Sequence, residues 1–382
     1  MKKVRLIAVA LIVVLCTTLS CVAQDQEVQL LKQLSDAPGP SGYEGPVRAI
    51  MVKHMTPLAT KITYDGVGSV IAQQGATGPR IMIDAHMDEV GAMVRSIDAD
   101  GFLRMQMLGY WMNQALIDQR WTIIGSKGPV IAVTGMRDVH IATSSEIGKV
   151  FPVRSLFLDI GAKSAAQAKE MGIEPGDPIV PYSPFEVLNG TSRYLGKAFD
   201  DRVGCALLIE VMKRLEHVSH PNQLFYAATV QEEVGMRGAV TASQVIKPDI
   251  GIVLEAGIVK DTPDVEPGEA EEVLGGGPAY FLYDESAIPN RKLVTFVKNV
   301  AAKNSIPLQY DLVEGYGEDG ASIQMSNGGV PIINLVVPIR YTHSHNGIIS
   351  RHDIDRMADL LVAMIMNLDS KTVANIRNFA PQ

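Results

Sequence analysis

Apolar residues along this 382-residue chain fall into two spacings. Short runs with β-branched content, each closed by polar residues or glycine, predict strands: RIMIDAH, AMVRSI, FLRMQML, WTIIGS, VIAVTG, LFLDIGA, LFYAATV, IGIVLEAG and IINLVVPI. Elsewhere the spacing is helical. Asp201 to His217 places Val203, Ala206, Leu207, Val211 and Leu215 on one stripe, and the segments 291–304 and 355–368 repeat the pattern. Residues 27–34 and the run PVRAIMVKHM predict two further helices, separated by a Gly/Pro-rich loop from Asp36 to Pro46. Alternation of strands and helices in the outer parts of the chain predicts an α/β sheet layered by helices. Residues 91–183 differ, being strand-rich with one short helix, SAAQAKEMG, closed by Gly172; they predict a β-rich insertion.

The first 23 residues fall outside that pattern. MKKVR is basic, and Leu6 to Leu15 is an apolar run of ten, short of the roughly 20 residues that span a bilayer. This is the form of an export signal, so a periplasmic or secreted protein is expected. CVA (Cys21 to Ala23) suits cleavage, whereas TLSC resembles a loose lipoprotein box, with Thr18 where leucine is usual and Cys21 as the acylated residue. A lipid on Cys21 is the only membrane attachment this reading allows. With Cys16 and Cys21 accounted for, Cys205 is left alone and no internal disulfide is expected.

Composition narrows the class. Apolar residues at 47% and charged residues at 20% belong to a folded globular chain. The net charge of −8 becomes −11 once the segment holding Lys2, Lys3 and Arg5 is set aside, which argues against nucleic acid as a partner.

Four apolar runs end in residue types that bind metal. They deliver His86 with Asp88, the pair Glu232–Glu233, Glu255 and His343. Sites in open α/β sheets form beyond the carboxyl ends of strands, which gives these residues a common meeting place. Asp200 and Asp201, just before a predicted helix, are a fifth candidate. Taken singly, such residues are usually caps, turn acids or satisfied histidines, and His54, His140, His217, His220 and His352 are read that way. Five coincident sites, two of them doubled, call for a shared cause. A pair of divalent cations needs a bridging carboxylate, further carboxylate and imidazole ligands, and an open position for water. One acid of Asp200–Asp201 serves as the bridge, with His86 and Glu255 on one ion and His343 with one of the paired glutamates on the other. The remaining glutamate is then free as a general base. Asp88 is placed to orient the His86 imidazole. No thiolate joins the set, which excludes a zinc finger or redox centre.

DAHMDEVG, GKAFDDRVG, VQEEVGMRGA, GPAYF and RYTHS, taken together and in this order, resemble the dinuclear aminopeptidases of the glutamyl-aminopeptidase family. That family, in metallopeptidase clan MH, includes the tetrahedral (TET) archaeal aminopeptidases and proteins once labelled endoglucanase. The resemblance runs from about Leu30 to Leu368. It implies a phosphorylase/hydrolase-like mixed sheet flanked by helices, with a β-rich dimerisation domain inserted between the first ligand histidine and the bridging aspartate. With the export signal read above (1–23), that divides the rest of the chain into a catalytic domain (24–90 and 184–382) and the insertion (91–183). It further implies His86, Asp200, Glu233, Glu255 and His343 as ligands, Glu232 as general base, and Asp88 as the acid that orients His86. Two divalent ions (zinc, with cobalt as the alternative), peptide substrates and a homo-oligomer, either dimer or dodecamer, belong to the same implication. The expected activity is removal of N-terminal residues from peptides by a water activated between two metals. Glu255 departs from the family's usual aspartate, SHNGIIS from the common SPVEV, and the export signal from a family that is usually cytoplasmic. Two other readings remain: a deacylase or carboxypeptidase of the same clan, and a peptide- or metal-binding lipoprotein that has lost catalysis. A glycosidase would need paired acids working without metal, and here the acids are better used as ligands.

Overall fold

The computed structural model describes residues 26–380, so the predicted export signal, with Cys16 and Cys21, lies outside the described residues. After helices α1 (26–36) and α2 (Gly45–Met55) come strands β1 (Lys61–Tyr64), β2 (Val70–Gln74) and β3 (Arg80–His86). Six strands follow: β4 (Gly91–Ile97), β5 (Leu103–Leu108), β6 (Arg120–Gly125), β7 (Gly128–Gly135), β8 (Phe157–Asp159) and β9 (Pro178–Pro181), with helix α3 (Ala165–Glu170) before the last. They close into a barrel in the order β4-β5-β8-β7-β6-β9, around a core of its own that includes Val94, Leu103, Trp121, Ile123, Leu158 and Ile179.

The chain then returns to the sheet through β10 (Glu186–Val187), β11 (Arg193–Gly196), α4 (Phe199–Arg214), β12 (Gln223–Thr229), α5 (Arg237–Ile246) and β13 (Ile250–Ile258). It ends with β14 (Ala279–Glu285), α6 (Arg291–Lys303), β15 (Gln309–Tyr316), α7 (Asp319–Gln324), β16 (Ile332–Arg340), β17 (Gly347–Ser350), α8 (Arg351–Ile365) and α9 (Ser370–Ile376). The mixed 11-stranded sheet runs β1-β2-β12-β3-β13-β16-β17-β11-β10, with β14 and β15 joined beside β16. The four middle strands, β12, β3, β13 and β16, are parallel. They are apolar on both faces because both faces are covered. Ile81 and Ile83 pack into a layer with Leu207, Val211 and Leu361, whereas Met82 points the other way, among Ala239, Ala242 and Ile323.

The mixed α/β architecture and the long helices agree with the sequence reading. Several elements were not predicted. α5 follows Gly235 and begins after the left-handed Met236 (φ 53°), and burial of Ala239, Ala242 and Ile246 against the sheet is what holds it as a helix. β1 and β15 are largely exposed strands whose backbones are completed by pairing with β2 and β14, a cause invisible in local pattern.

One ion pair on α1 predicts a pH effect. Glu27 pairs with Arg351, yet burial and the nearby Glu210, with Asp355 adding to them, raise its pKa from 4.5 to about 7. The folded chain thus holds this proton more tightly than the unfolded chain, so the contribution is full below about pH 4.5 and is lost as pH rises through about 7. Glu27→Gln is expected to flatten the thermal midpoint across that window; a slope equal to that of the unaltered protein would refute the assignment.

Candidate metal centre

Strand register brings the donors to one level. His86 is the last residue of β3 and pairs directly with Thr229 on β12, so the chain leaving β12 delivers Glu232 and Glu233 beside it. β13 pairs with β3 as far as Val253 opposite Asp84, which puts Glu255, two residues on, level with His86. Glu255 lies inside β13, which continues to Ile258, rather than at its end. His343 follows β16 by three residues, and Asp200 sits in the first turn of α4.

Asp200 lies between the two histidines, with Oδ1 3.1 Å from His86 Nε2 and Oδ2 3.4 Å from His343 Nε2. Glu255 Oε1 is 3.5 Å and Glu232 Oε2 3.9 Å from His86 Nε2, and Glu233 Oε2 is 3.5 Å from His343 Nε2. Donor atoms of His86, Glu232 and Glu255, and separately of His86, Asp200 and Glu233, all lie within 4.8 Å of one another. All these residues but His343 are more than nine-tenths buried. Of the adjacent aspartates, Asp200 faces the histidines, while Asp201 Oδ1 accepts from Gly204 N–H at 2.9 Å and caps the helix.

Asp88 meets His86 more closely through its backbone carbonyl than through its carboxylate. His86 Nδ1 is 3.0 Å from the Asp88 carbonyl oxygen and 3.5 Å from its carboxylate. The carboxylate accepts from the backbone N–H of Glu232 (3.0 Å) and Glu233 (3.2 Å), and from Ser41 Oγ at 2.6 Å. It therefore fixes the backbone of the acid pair. Beneath it lies a buried ionic network. Lys197 Nζ donates to both Glu89 oxygens at 2.7 and 2.8 Å, and Arg202 donates to Glu89 and to the carbonyls of Leu34, Ala37, Gly39 and Met87. This ties the 36–46 loop, the exit of β3 and the start of α4 together.

The electrostatics are those of a site with too many acids. Burial raises Glu232 and Glu255 well above the ordinary carboxylate range and Glu233 to about 8. Burial alone would lower the histidines, but Glu255 and Asp200 outweigh it at His86, and Glu233 and Asp200 bring His343 to about 9. Burial would also raise Asp200, yet hydrogen bonds from His343 and His86 hold it below its usual value. Glu233 Oε1 is buried with no hydrogen-bond partner. Clustered carboxylates with two imidazoles and an orphaned oxygen are a donor set suited to hard or borderline divalent cations.

Sequence reasoning passed over several neighbours. Glu318 is fully buried with both oxygens unpartnered, and Asp319 accepts from Thr229 Oγ1 at 2.8 Å behind the site. The doublet Glu318–Asp319 was the available signal for these two. The carbonyl oxygen of Tyr110, which receives His343 Nδ1 at 2.8 Å, had none. The histidines read as structural stay apart from both donor sets; the His140 and His217 side chains, for instance, are 87% and 91% exposed.

A profile described as M42 glutamyl aminopeptidase matches residues 68–360. The glutamyl aminopeptidase of Lactococcus lactis subsp. cremoris is 33% identical over 91% of this chain and 98% of its own length. The TET aminopeptidase of the marine sediment archaeon Thaumarchaeota archaeon SCGC AB-539-E09 superposes with a TM-score of 0.91 at 41% identity, covering 93% of this chain and 99% of that one. Pyrococcus horikoshii TET1 peptidase, described as assembling into a tetrahedron or a large octahedral shell, gives 0.81 at 30% identity over 90% and 100%. Fold, donor set and relatives define a metal-dependent aminopeptidase, a hydrolase. The chain belongs to the M42 glutamyl aminopeptidase family.

One expectation is corrected by these matches. An exported protein, periplasmic, secreted or lipid-anchored through Cys21, is not supported: the relatives and structural neighbours are M42 and TET aminopeptidases and give an exported form no backing. Ten apolar residues after a basic start were over-read as an address. Among the described residues, no helix is long and apolar enough to cross a membrane.

Proposed function

We propose that His86, Asp200, Glu233, Glu255 and His343 hold two divalent ions, with Asp200 bridging, and that Glu232 is the general base of peptide N-terminal hydrolysis. The position of Asp200, with one oxygen toward each histidine, carries this reading. Zinc fits the donor set, and cobalt fits the same ligands. When bound, the ions supply Lewis-acid activation of water and of the scissile carbonyl.

The chain's own residues do the rest. Glu232 Oε2, within donor distance of His86 and Glu255 and assigned here as base rather than ligand, takes the proton from the attacking water and returns it to the leaving amine. Asp88, through the amides of Glu232 and Glu233, keeps base and ligand on diverging sides of the strand exit. The carboxylate surplus favours a substrate whose end is cationic, which suits a free α-amine. Glu255, one methylene longer than the usual aspartate, brings Oε1 to 3.5 Å from His86 Nε2, where it would hold the ion that His86 holds. The barrel at residues 91–183 is the proposed dimerisation surface of a homo-oligomer, in keeping with the assemblies described for the TET1 peptidase.

Dialysis against chelator is expected to abolish release of N-terminal residues, with recovery on adding zinc or cobalt. Matched peptides with free and acetylated N-termini separate the readings. Cleavage of the free form alone supports an aminopeptidase, whereas equal or preferred cleavage of the acetylated form would establish a deacylase or carboxypeptidase instead.

A further inference from the structure

We propose that the barrel is a working part of the metal centre: its Gly109–Tyr110–Trp111 turn, with Trp121 behind it, holds the His343 loop in the geometry that ligation requires. The inference rests on the reading of His343 as a ligand.

Within the loop after β16, Ser344 Oγ lies 3.1 Å from the carbonyl oxygens of Tyr341 and Asn346, but nothing internal reaches the His343 ring. Tyr341 (φ 68°) and His343 (φ 51°) both occupy the left-handed region, which non-glycine residues adopt only when their surroundings compel it. Tyr341 is 55% exposed, so its own side chain is not the anchor. The contacts from outside the loop that hold the Nδ1 side of His343 and the His345 ring come from the barrel, more than 200 residues away in sequence. His343 Nδ1–H donates to the carbonyl oxygen of Tyr110 at 2.8 Å. That bond keeps a proton on Nδ1, so Nε2, which faces Asp200 and Glu233, is the nitrogen that would ligate once it gives up its own proton.

Two residues on, the His345 ring packs edge to face against Trp121, with centroids 4.3 Å apart, and lies 5.6 Å from Trp111. The two indoles are themselves 5.5 Å apart. Trp121 is fully buried and its Nε1–H donates to Thr134 Oγ1, so this face of the clasp is anchored in the barrel core. A third contact reaches the other ligand of the same ion. Gly109 (φ 79°) lies so near Glu233 that a Cβ there would stand 3.0 Å from Oε2, and 2.7 Å from Val90 Cγ1. The turn thus meets Glu233 and His343, the two residues read as ligands of one ion. Its loss should loosen one ion and spare the other.

Zinc titration of metal-free protein by calorimetry, with bound zinc counted after dialysis, tests this. Trp111→Ala and His345→Ala are each expected to weaken one of the two zinc sites by about 10–100-fold and leave the other unchanged. Trp111→Phe should restore most of the loss, and Met112→Ala, an exposed neighbour on the barrel, should bind both ions normally. Should Trp111→Ala fail to fold, His345→Ala decides from the opposite side of the clasp. His343→Ala separates the two claims. If it keeps both sites at full affinity, the ligand reading fails; if it loses one site while Trp111→Ala and His345→Ala keep both, the ligand reading stands and the barrel's role is overturned. Equal weakening of both sites by the clasp variants also overturns it.

Discussion

Replacing Glu232 with glutamine is expected to lower kcat by about 10²–10⁴-fold while both metals stay bound. The amide has the same shape but cannot accept the proton of the attacking water. Its backbone N–H is still held by Asp88, so the strand exit keeps its course. Because the substituted group is lost in the transition state rather than in substrate binding, KM should move little. Metal content and kcat on an aminoacyl anilide, measured on one preparation, decide the matter. Turnover within about tenfold of the unaltered enzyme, with two metals present, would remove Glu232 from the mechanism.

The largest effect on stability is expected at Arg202. Its guanidinium is fully buried and donates to Glu89 and to four carbonyl oxygens drawn from three segments. Arg202→Met keeps the apolar stem but takes the guanidinium from the Leu34 and Met87 carbonyls; Ala37 and Gly39 keep Lys197 Nζ and the Glu89 N–H, and Glu89 keeps Lys197 and the Gly39 N–H. A loss of about 2–5 kcal/mol is expected, since each buried carbonyl left without a donor costs about 1–3 kcal/mol. Arg202→Lys should recover little, because an ammonium cannot fork toward several acceptors at once. Urea unfolding of the metal-loaded protein gives the measurement, and a midpoint unchanged by Arg202→Met would refute the account. The same network sits under Asp88 and Asp200, so the surviving folded protein should also bind metal less well.

How far the sequence reached depends on how local each cause is. His86, Glu232–Glu233 and His343 were visible as donors at the ends of apolar runs, because parallel strands buried on both faces must be written as such runs. Glu255 was found by the same logic although its strand runs on past it, since its level is set by register and not by where the run stops. The doublet Asp200–Asp201 could not be resolved locally. Either acid can cap a helix, and only the position of Gly204 N–H against Asp201 frees Asp200 to face the histidines. Asp88 was read as a partner for His86, and its grip on the Glu232 and Glu233 amides depends on a loop 144 residues away.

By itself, then, the sequence determined the types of donor, their order and the strands that present them, along with the family to which the chain belongs. Its expectation of export, drawn from a basic start, a short apolar run and two loose motifs, is not supported by the relatives. The tertiary structure decided which acid faces which histidine, what holds the acid pair, and that a barrel carbonyl steadies His343. A residue's chemistry and its strand's periodicity are properties of a few neighbouring positions. Its hydrogen-bond partners are chosen by packing between segments more than a hundred residues apart, and no local pattern records that choice.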